Sequence, residues 1–180
     1  MRTDVQLLQL DPATQAALSR DPAYARAMAD EDWARLAEVL EPHVSDLMQK
    51  PAGRPPAPVS NRASDNASRD TWGGYVAVDP DTRAVVGSCA FKGPPTADGA
   101  VEIAYLTFPN FEGQGYATAM ARRLVERAAD HPAVRRVIAH TLPEPSASTR
   151  VLEKAGLRHV GEVTDPDDGR VWRWETPAPA

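Results

Sequence analysis

The sequence predicts a mixed α/β (α+β) domain, with a mostly antiparallel central sheet that holds one parallel strand pair and is flanked by helices. Three observations carry this expectation. Residues Val101 to Ala129 read as a strand, a glycine turn and a helix. Ahead of them, Trp72–Val78 and Arg83–Lys92 enclose the turn Asp79-Pro80-Asp81-Thr82 and form a hairpin. After them, Val134–Thr141 is a further strand, which a crossover helix places parallel to the first.

Taken in order, Val5–Leu10 is a short strand, ended by Asp11-Pro12. Residues 13–20 form a helix capped by Asp11, and Asp21-Pro22 repeats that start signal. Asp30 reads as the cap of a third helix, whose face is Trp33, Leu36, Ala37 and Leu40. Pro42 kinks or restarts it before Val44, Leu47 and Met48. Residues 49–70 are rich in Pro, Ser, Ala, Asn and Arg and read as a long mobile loop.

Along Val101–Thr107, Val101, Ile103 and Tyr105 alternate with Glu102, Ala104 and Leu106, the period of a strand that Pro109 ends. Gly113 and Gly115 allow a tight turn. Ala117, Met120, Ala121, Leu124, Val125 and Ala128 then share one face of a helix that Asp130-His131-Pro132 closes. After Val134–Thr141, Ser146 or Ser148 starts a helix with the face Ala147, Val151, Leu152 and Ala155, and Gly156 stops it. Leu157–Thr164 and Arg170–Thr176 are the last two strands, with Trp172 and Trp174 on one face. Residues 177–180 read as a frayed tail.

At 180 residues the chain is expected to be a single domain, 1–180. The formal net charge of -5 argues against a nucleic-acid partner. No run of 18 apolar residues and no signal-peptide pattern is present, so no membrane partner is expected. One cysteine, Cys89, suits a cytoplasmic location, and it reads as a packing residue rather than a nucleophile. Four histidines and one cysteine fall at no metal-ligand spacing, so no metal is expected.

A strand feeding a glycine turn feeding a helix suits an anion, because the first helical turn offers unpaired N–H groups and the positive end of the dipole. A P-loop requires Gly-Lys-Ser/Thr, and Gly115 is followed by Tyr116. A dinucleotide fingerprint requires a third glycine where Thr118 stands.

Glu112-Gly113-Gln114-Gly115-Tyr116-Ala117 resembles motif A of the GCN5-related N-acetyltransferases (GNAT), Arg/Gln-x-x-Gly-x-Gly/Ala, with a carboxylate at the first position. Ser148, Val151-Leu152-Glu153-Lys154 and Gly156-Leu157 resemble motif B, most of all in the ribosomal-protein-alanine N-acetyltransferase subgroup. Pro145 departs from that subgroup's CoA-contacting asparagine, and Leu152 stands where other branches place a tyrosine acid. The resemblance covers roughly residues 70 to 175. It implies the GNAT fold with a splayed parallel strand pair, and acetyl-CoA as co-substrate. It implies that amides from Gly113, Gln114, Gly115, Tyr116, Ala117 and Thr118 hold the pyrophosphate, and that Tyr105, Leu106 and Thr107 bind the pantetheine arm. It also implies that the first helices, with Trp33 and residues near Pro42, line the acceptor side.

The chemistry that follows is acetyl transfer to a primary amine by direct attack on the thioester. The enzyme must accept a proton from the amine and offer an N–H near Leu106 to the oxyanion. Glu102 and His140 are both candidate bases. Ser148 either hydrogen-bonds the CoA thiol or caps its helix. The acceptor is a small-molecule amine or a protein N-terminus, and dimers are common in the family the chain resembles. The alternative is a GNAT-fold module that binds CoA without turnover; a weaker third reading is a phosphate-binding α/β domain unrelated to CoA.

Overall fold

The computed structural model describes residues 3–9, 12–30, 32, 35–42, 72–166 and 168–177. The predicted loop 49–70, the cap Asp11, and Trp33, Val44, Leu47 and Met48 lie outside the described residues, as do residues 178–180 of the predicted tail.

Among the described residues, seven strands form one sheet: β1 (Gln6–Gln9), β2 (Gly74–Val78), β3 (Val85–Phe91), β4 (Ala100–Thr107), β5 (Arg136–Thr141), β6 (Arg158–Asp165) and β7 (Gly169–Glu175). Their spatial order is β1-β2-β3-β4-β5-β7-β6. All neighbours are antiparallel except β4 and β5, as the crossover predicts. The helices are α1 (Pro12–Arg20), α2 (Pro22–Ala29), α3 (residues 35–42), α4 (Tyr116–Ala129) and α5 (Ala147–Lys154).

Two apolar clusters cover the sheet. On one face, Met120, Ala121, Leu124 and Ala128 of α4 and Leu152 of α5 pack on Val101, Ile103, Val137 and Ala139. Fully buried side chains such as Leu124 and Leu152 each contribute about 2–3 kcal/mol in transfer terms. The second cluster joins Leu18, Ala27, Leu36 and Leu40 of α1–α3 to Val76, Val78, Val85 and Phe108.

Two expectations, at Asp30 and Ala147, are corrected, and the choice between Ser146 and Ser148 is decided. Asp30 does not start α3; it closes α2, its N–H donating to the Arg26 carbonyl. The residue that serves α3 is Asp32, whose Oδ1 accepts from Arg35 N–H at 3.1 Å. Both aspartates carry the same capping chemistry, and a two-residue shift in helix phase decides between them. In α5 the cap is Ser146: its Oγ accepts from Thr149 N–H while Thr149 Oγ1 accepts from Ser146 N–H, a reciprocal capping box. Ser148 is therefore not the cap. Ala147, expected on the apolar face of α5, is exposed, and Thr149 is buried with Leu152 instead.

The hairpin turn is held by Asp79, whose Oδ1 accepts from the N–H groups of Asp81 and Thr82. Cys89 lies buried in β3 with its thiol pushed up to about 12 by burial, consistent with a packing role.

Candidate active site

The site begins where the sheet divides. β4 and β5 pair over three positions only, Ala100 with Arg136, Val101 with Val137 and Glu102 with Ile138. Beyond Glu102, β4 continues alongside β3 and β5 alongside β7, so a wedge opens between them. The ladder also decides which groups face the wedge. Phe108 N–H donates to the Val86 carbonyl, and the Glu102 carbonyl accepts from Lys92 N–H. Even-numbered main-chain groups of β4 thus belong to β3, and those of Tyr105 and Thr107 are left on the wedge side. Leu106 itself faces Ser88 in the ladder, so the wedge-side amides near Leu106 are those of its neighbours Tyr105 and Thr107.

At the end of β4 the chain makes a short 3-10 turn, Pro109–Phe111, and enters α4 through glycines. Gly113 has φ 71° and Gly115 φ 93°, left-handed values that cost other residues energy. Main-chain pairing stops with Glu112 N–H to the Pro109 carbonyl and resumes with Ala119 N–H to the Gly115 carbonyl. Among the described residues, the amides from Gly113 to Thr118 make no hydrogen bond to the protein. They form a concave set of donors at a helix start, suited to an anion.

Two contacts brace this turn. Thr3 Oγ1 donates to the Gln114 carbonyl at 2.7 Å. The Tyr116 hydroxyl donates to Asp79 Oδ2 at 2.6 Å, which turns the ring toward the hairpin and leaves only the Tyr116 amide for a ligand. That hydrogen bond, with burial, pushes the Tyr116 hydroxyl up to about 12.

A cleft of about 450 Å³ lies beside the turn. It is lined by Tyr105, Leu106 and Thr107 of β4, by Gly113, Gly115, Tyr116, Ala117 and Thr118, and by Ser148 of α5. Gln114 is the one expected cofactor-binding residue missing from the lining; its side chain folds back to donate to the Asn110 carbonyl. Ser148 is exposed to the cleft, and its carbonyl accepts from the Tyr105 hydroxyl at 3.3 Å. Burial pushes the Tyr105 hydroxyl up to about 12. Thr107 Oγ1 is buried with no hydrogen-bond partner among the described residues. Arg150 and Lys154 also line the cleft, as does Glu112, and supply positive charge there, a contribution missed in the sequence. Their spacing of four residues, one helical turn, is the signal that places them on one face.

Glu102 and His140 lie across the sheet. Val101, Ile103, Val137 and Ala139 face α4, so alternation puts Glu102 and His140 on the opposite face, at the point where the strands part. The two residues meet: His140 Nδ1 is 3.0 Å from Glu102 Oε1. The same oxygen accepts from Lys92 Nζ at 2.7 Å, and this hydrogen bond raises the Lys92 ammonium above its ordinary value. His140 Nε2 is buried without a hydrogen-bond partner among the described residues. Among the described residues, no group of three or more His, Cys, Asp or Glu is arranged to hold a metal ion, and no helix is long and apolar enough to cross a membrane.

A split sheet with a glycine-turned helix start beside the split defines an α/β protein of the acetyltransferase type. The family described as acetyltransferase (GNAT) domain matches residues 19–158, and the chain belongs to this family. No curated protein matches the chain. Among solved structures it is similar to aminoglycoside acetyltransferase AAC(6')-Ib in complex with coenzyme A, at 25% identity and a TM-score of 0.51. That match covers 57% of this chain and 64% of the other, under two thirds of its length. A chimera of spermidine N-acetyltransferase SpeG from Vibrio cholerae and hSSAT shares the fold over 97% of this chain and 95% of its own, at 16% identity and a TM-score of 0.57. Ribosomal-protein-S5-alanine acetyltransferase from Vibrio fischeri shares it over 57% and 60%, at 16% identity and a TM-score of 0.50.

Proposed function

We propose that the chain is an acetyl-CoA-dependent N-acetyltransferase acting on a primary amine, by direct attack of the amine on the thioester. One observation carries the reading. Residues of two sequence motifs some 30 positions apart line a single cleft, and that cleft stands beside a strand split whose far side holds ionisable side chains. The fit to the co-substrate rests on the unpaired amides of Gly113 to Thr118 and on the partnerless Thr107 Oγ1. In this reading those amides hold the pyrophosphate, with Arg150 and Lys154 offsetting its charge. The edge from Tyr105 to Thr107 carries the pantetheine arm. An activated acetyl group is what bound acetyl-CoA supplies.

The chain's own residues do the rest. A wedge-facing N–H of Tyr105 or Thr107 stabilises the oxyanion. Glu102 and His140, on the acceptor side, are the candidates to take the amine's proton. Ser148, freed from capping, hydrogen-bonds the departing sulfur. We take the chain as one domain, 1–180. A cytoplasmic location suits its single buried cysteine. The solved relatives act, by their names, on an aminoglycoside and on spermidine, so cationic small molecules head the acceptor list and protein N-termini follow.

The test is release of CoA thiol with acetyl-CoA and a panel of polyamines, aminoglycosides, amino acids and N-terminal peptides. Turnover with at least one amine is expected. Tight CoA binding with no turnover across the panel would instead mark a binding module, and no CoA-dependent rise in melting temperature would remove the cofactor assignment.

A further inference from the structure

Resting on the reading above, we propose that Lys92 is a positioning residue that divides labour between Glu102 and His140: its ammonium engages Glu102 as a hydrogen-bond acceptor shared with Nδ1–H of His140, so that the Nε2 lone pair of His140 takes the amine's proton.

The argument starts from one oxygen. Glu102 Oε1 is approached by Lys92 Nζ at 2.7 Å and by His140 Nδ1 at 3.0 Å. An ammonium has only protons to offer, so Oε1 must accept from it. For the imidazole contact to be favourable as well, Nδ1 must carry a proton; a lone pair there would face the carboxylate's own. The neutral imidazole then has its lone pair on Nε2, the atom that is buried and partnerless. The opposite tautomer would leave a buried N–H unsatisfied at Nε2, which is the costlier arrangement. Glu102 is left a poor candidate for base, because its near oxygen is already bound twice.

The second part concerns charge. Lys92 extends from the C-terminal end of β3, and its side chain is 48% exposed, against 21% for Glu102 and 14% for His140. The ammonium therefore lies on the solvent side of the pair. Its separation from His140 Nδ1 is set by the shared oxygen, so it is about 6 Å or less, well inside the range of one screening length. At that range the ammonium's charge is felt at the imidazole. The other charged groups near this cluster are Arg173, which faces His140 from β7 and is itself paired to Glu175, and Asp165 and Asp168 at the β6–β7 turn, which act on Lys92.

The experiment compares wild type, Lys92→Met, Lys92→Arg and Glu102→Gln by the pH dependence of kcat/KM, and by 15N NMR of the imidazole. In wild type the NMR signals should report the Nδ1–H tautomer. Lys92→Met should lower kcat/KM about tenfold on the acid limb of the rate profile, with the high-pH plateau kept within about twofold. Lys92→Arg should restore the wild-type limb. Glu102→Gln should loosen the Nδ1–H tautomer in the NMR spectrum and lower kcat/KM several-fold without abolishing turnover. A loss in Lys92→Met that is equal at every pH would reduce Lys92 to a structural role. Abolished turnover in Glu102→Gln at every pH would return the base to Glu102. Should no amine be acetylated by wild type, the functional reading fails separately, and the NMR arm still decides this one: an Nε2–H tautomer, or an imidazole titration unmoved in Lys92→Met, overturns it.

Discussion

Gly87 tests whether the backbone approach beside the cleft is as close as it looks. It lies on β3 opposite Thr107. A Cβ added there would sit 2.2 Å from the Leu106 carbonyl oxygen and 3.1 Å from Thr107 Cα. Tolerated carbon–oxygen contacts start near 3.3 Å, so about 1 Å of movement is required. The obstacles are main-chain atoms, so no side chain can swing aside. Gly87→Ala must push β3 and β4 apart or twist one of them. Overpacking of this kind costs about 1–3 kcal/mol, and each ladder hydrogen bond lost near Leu106 adds about 1 kcal/mol. The expected loss is about 2–4 kcal/mol, or about 5–12 °C in Tm for a chain of this size. Gly74→Ala is the control, because nothing lies within 4 Å of its Cβ and its φ is not in the left-handed region; it should stay within about 0.5 kcal/mol of wild type or gain slightly. Thermal and urea melts followed by circular dichroism read both variants. A Gly87→Ala melt within 1 °C of wild type, or an equal fall in Gly74→Ala, would refute the argument.

Ser146→Ala should lose about 1 kcal/mol through the broken capping box, while Ser148→Ala should melt like wild type and act only on turnover; urea titration separates the two. Tyr116→Phe should remove a pH dependence. The hydroxyl is raised in the fold to about 12, so its stabilising bond to Asp79 is fully present below about pH 10 and is lost as pH climbs through 12. The variant should be about 1 kcal/mol less stable at neutral pH, with the difference vanishing at the alkaline end of a melting series. Arg150→Ala with Lys154→Ala should raise the acetyl-CoA KM several-fold and flatten its salt dependence, leaving kcat nearly unchanged; an unaltered KM would take both cations out of phosphate binding.

The helix start was legible because it follows from local pattern, whereas the wedge was expected only from the family resemblance. Alternation from Val101 to Tyr105, two glycines and an apolar stripe in α4 describe a strand–turn–helix unit almost completely. The parallel partner followed from the crossover alone. Choices between chemically equal neighbours were not legible: Asp30 against Asp32, and Ser146 against Ser148, differ only in where the helix phase begins. Least legible was the cluster around Glu102. Glu102 and His140 were each singled out, but their contact depends on the β4–β5 register and on both strands presenting the same face. Lys92, at the end of a hairpin strand, reads in isolation as an ordinary surface lysine. Likewise, Arg150 and Lys154 acquire meaning only once α5 is docked beside the glycine turn.

The seam of three residue pairs between β4 and β5 has a mechanical consequence. Among the described residues, the four strands on one side and the three on the other are stitched along the backbone at that short stretch and at the Gly99 carbonyl just before it, with α4 and α5 as the strapping behind it. A long thin molecule lying in the split, bonded to both borders, would lengthen the seam. Deuterium uptake in β5, β6 and β7 should then slow when such a molecule is present, including at amides that never touch it.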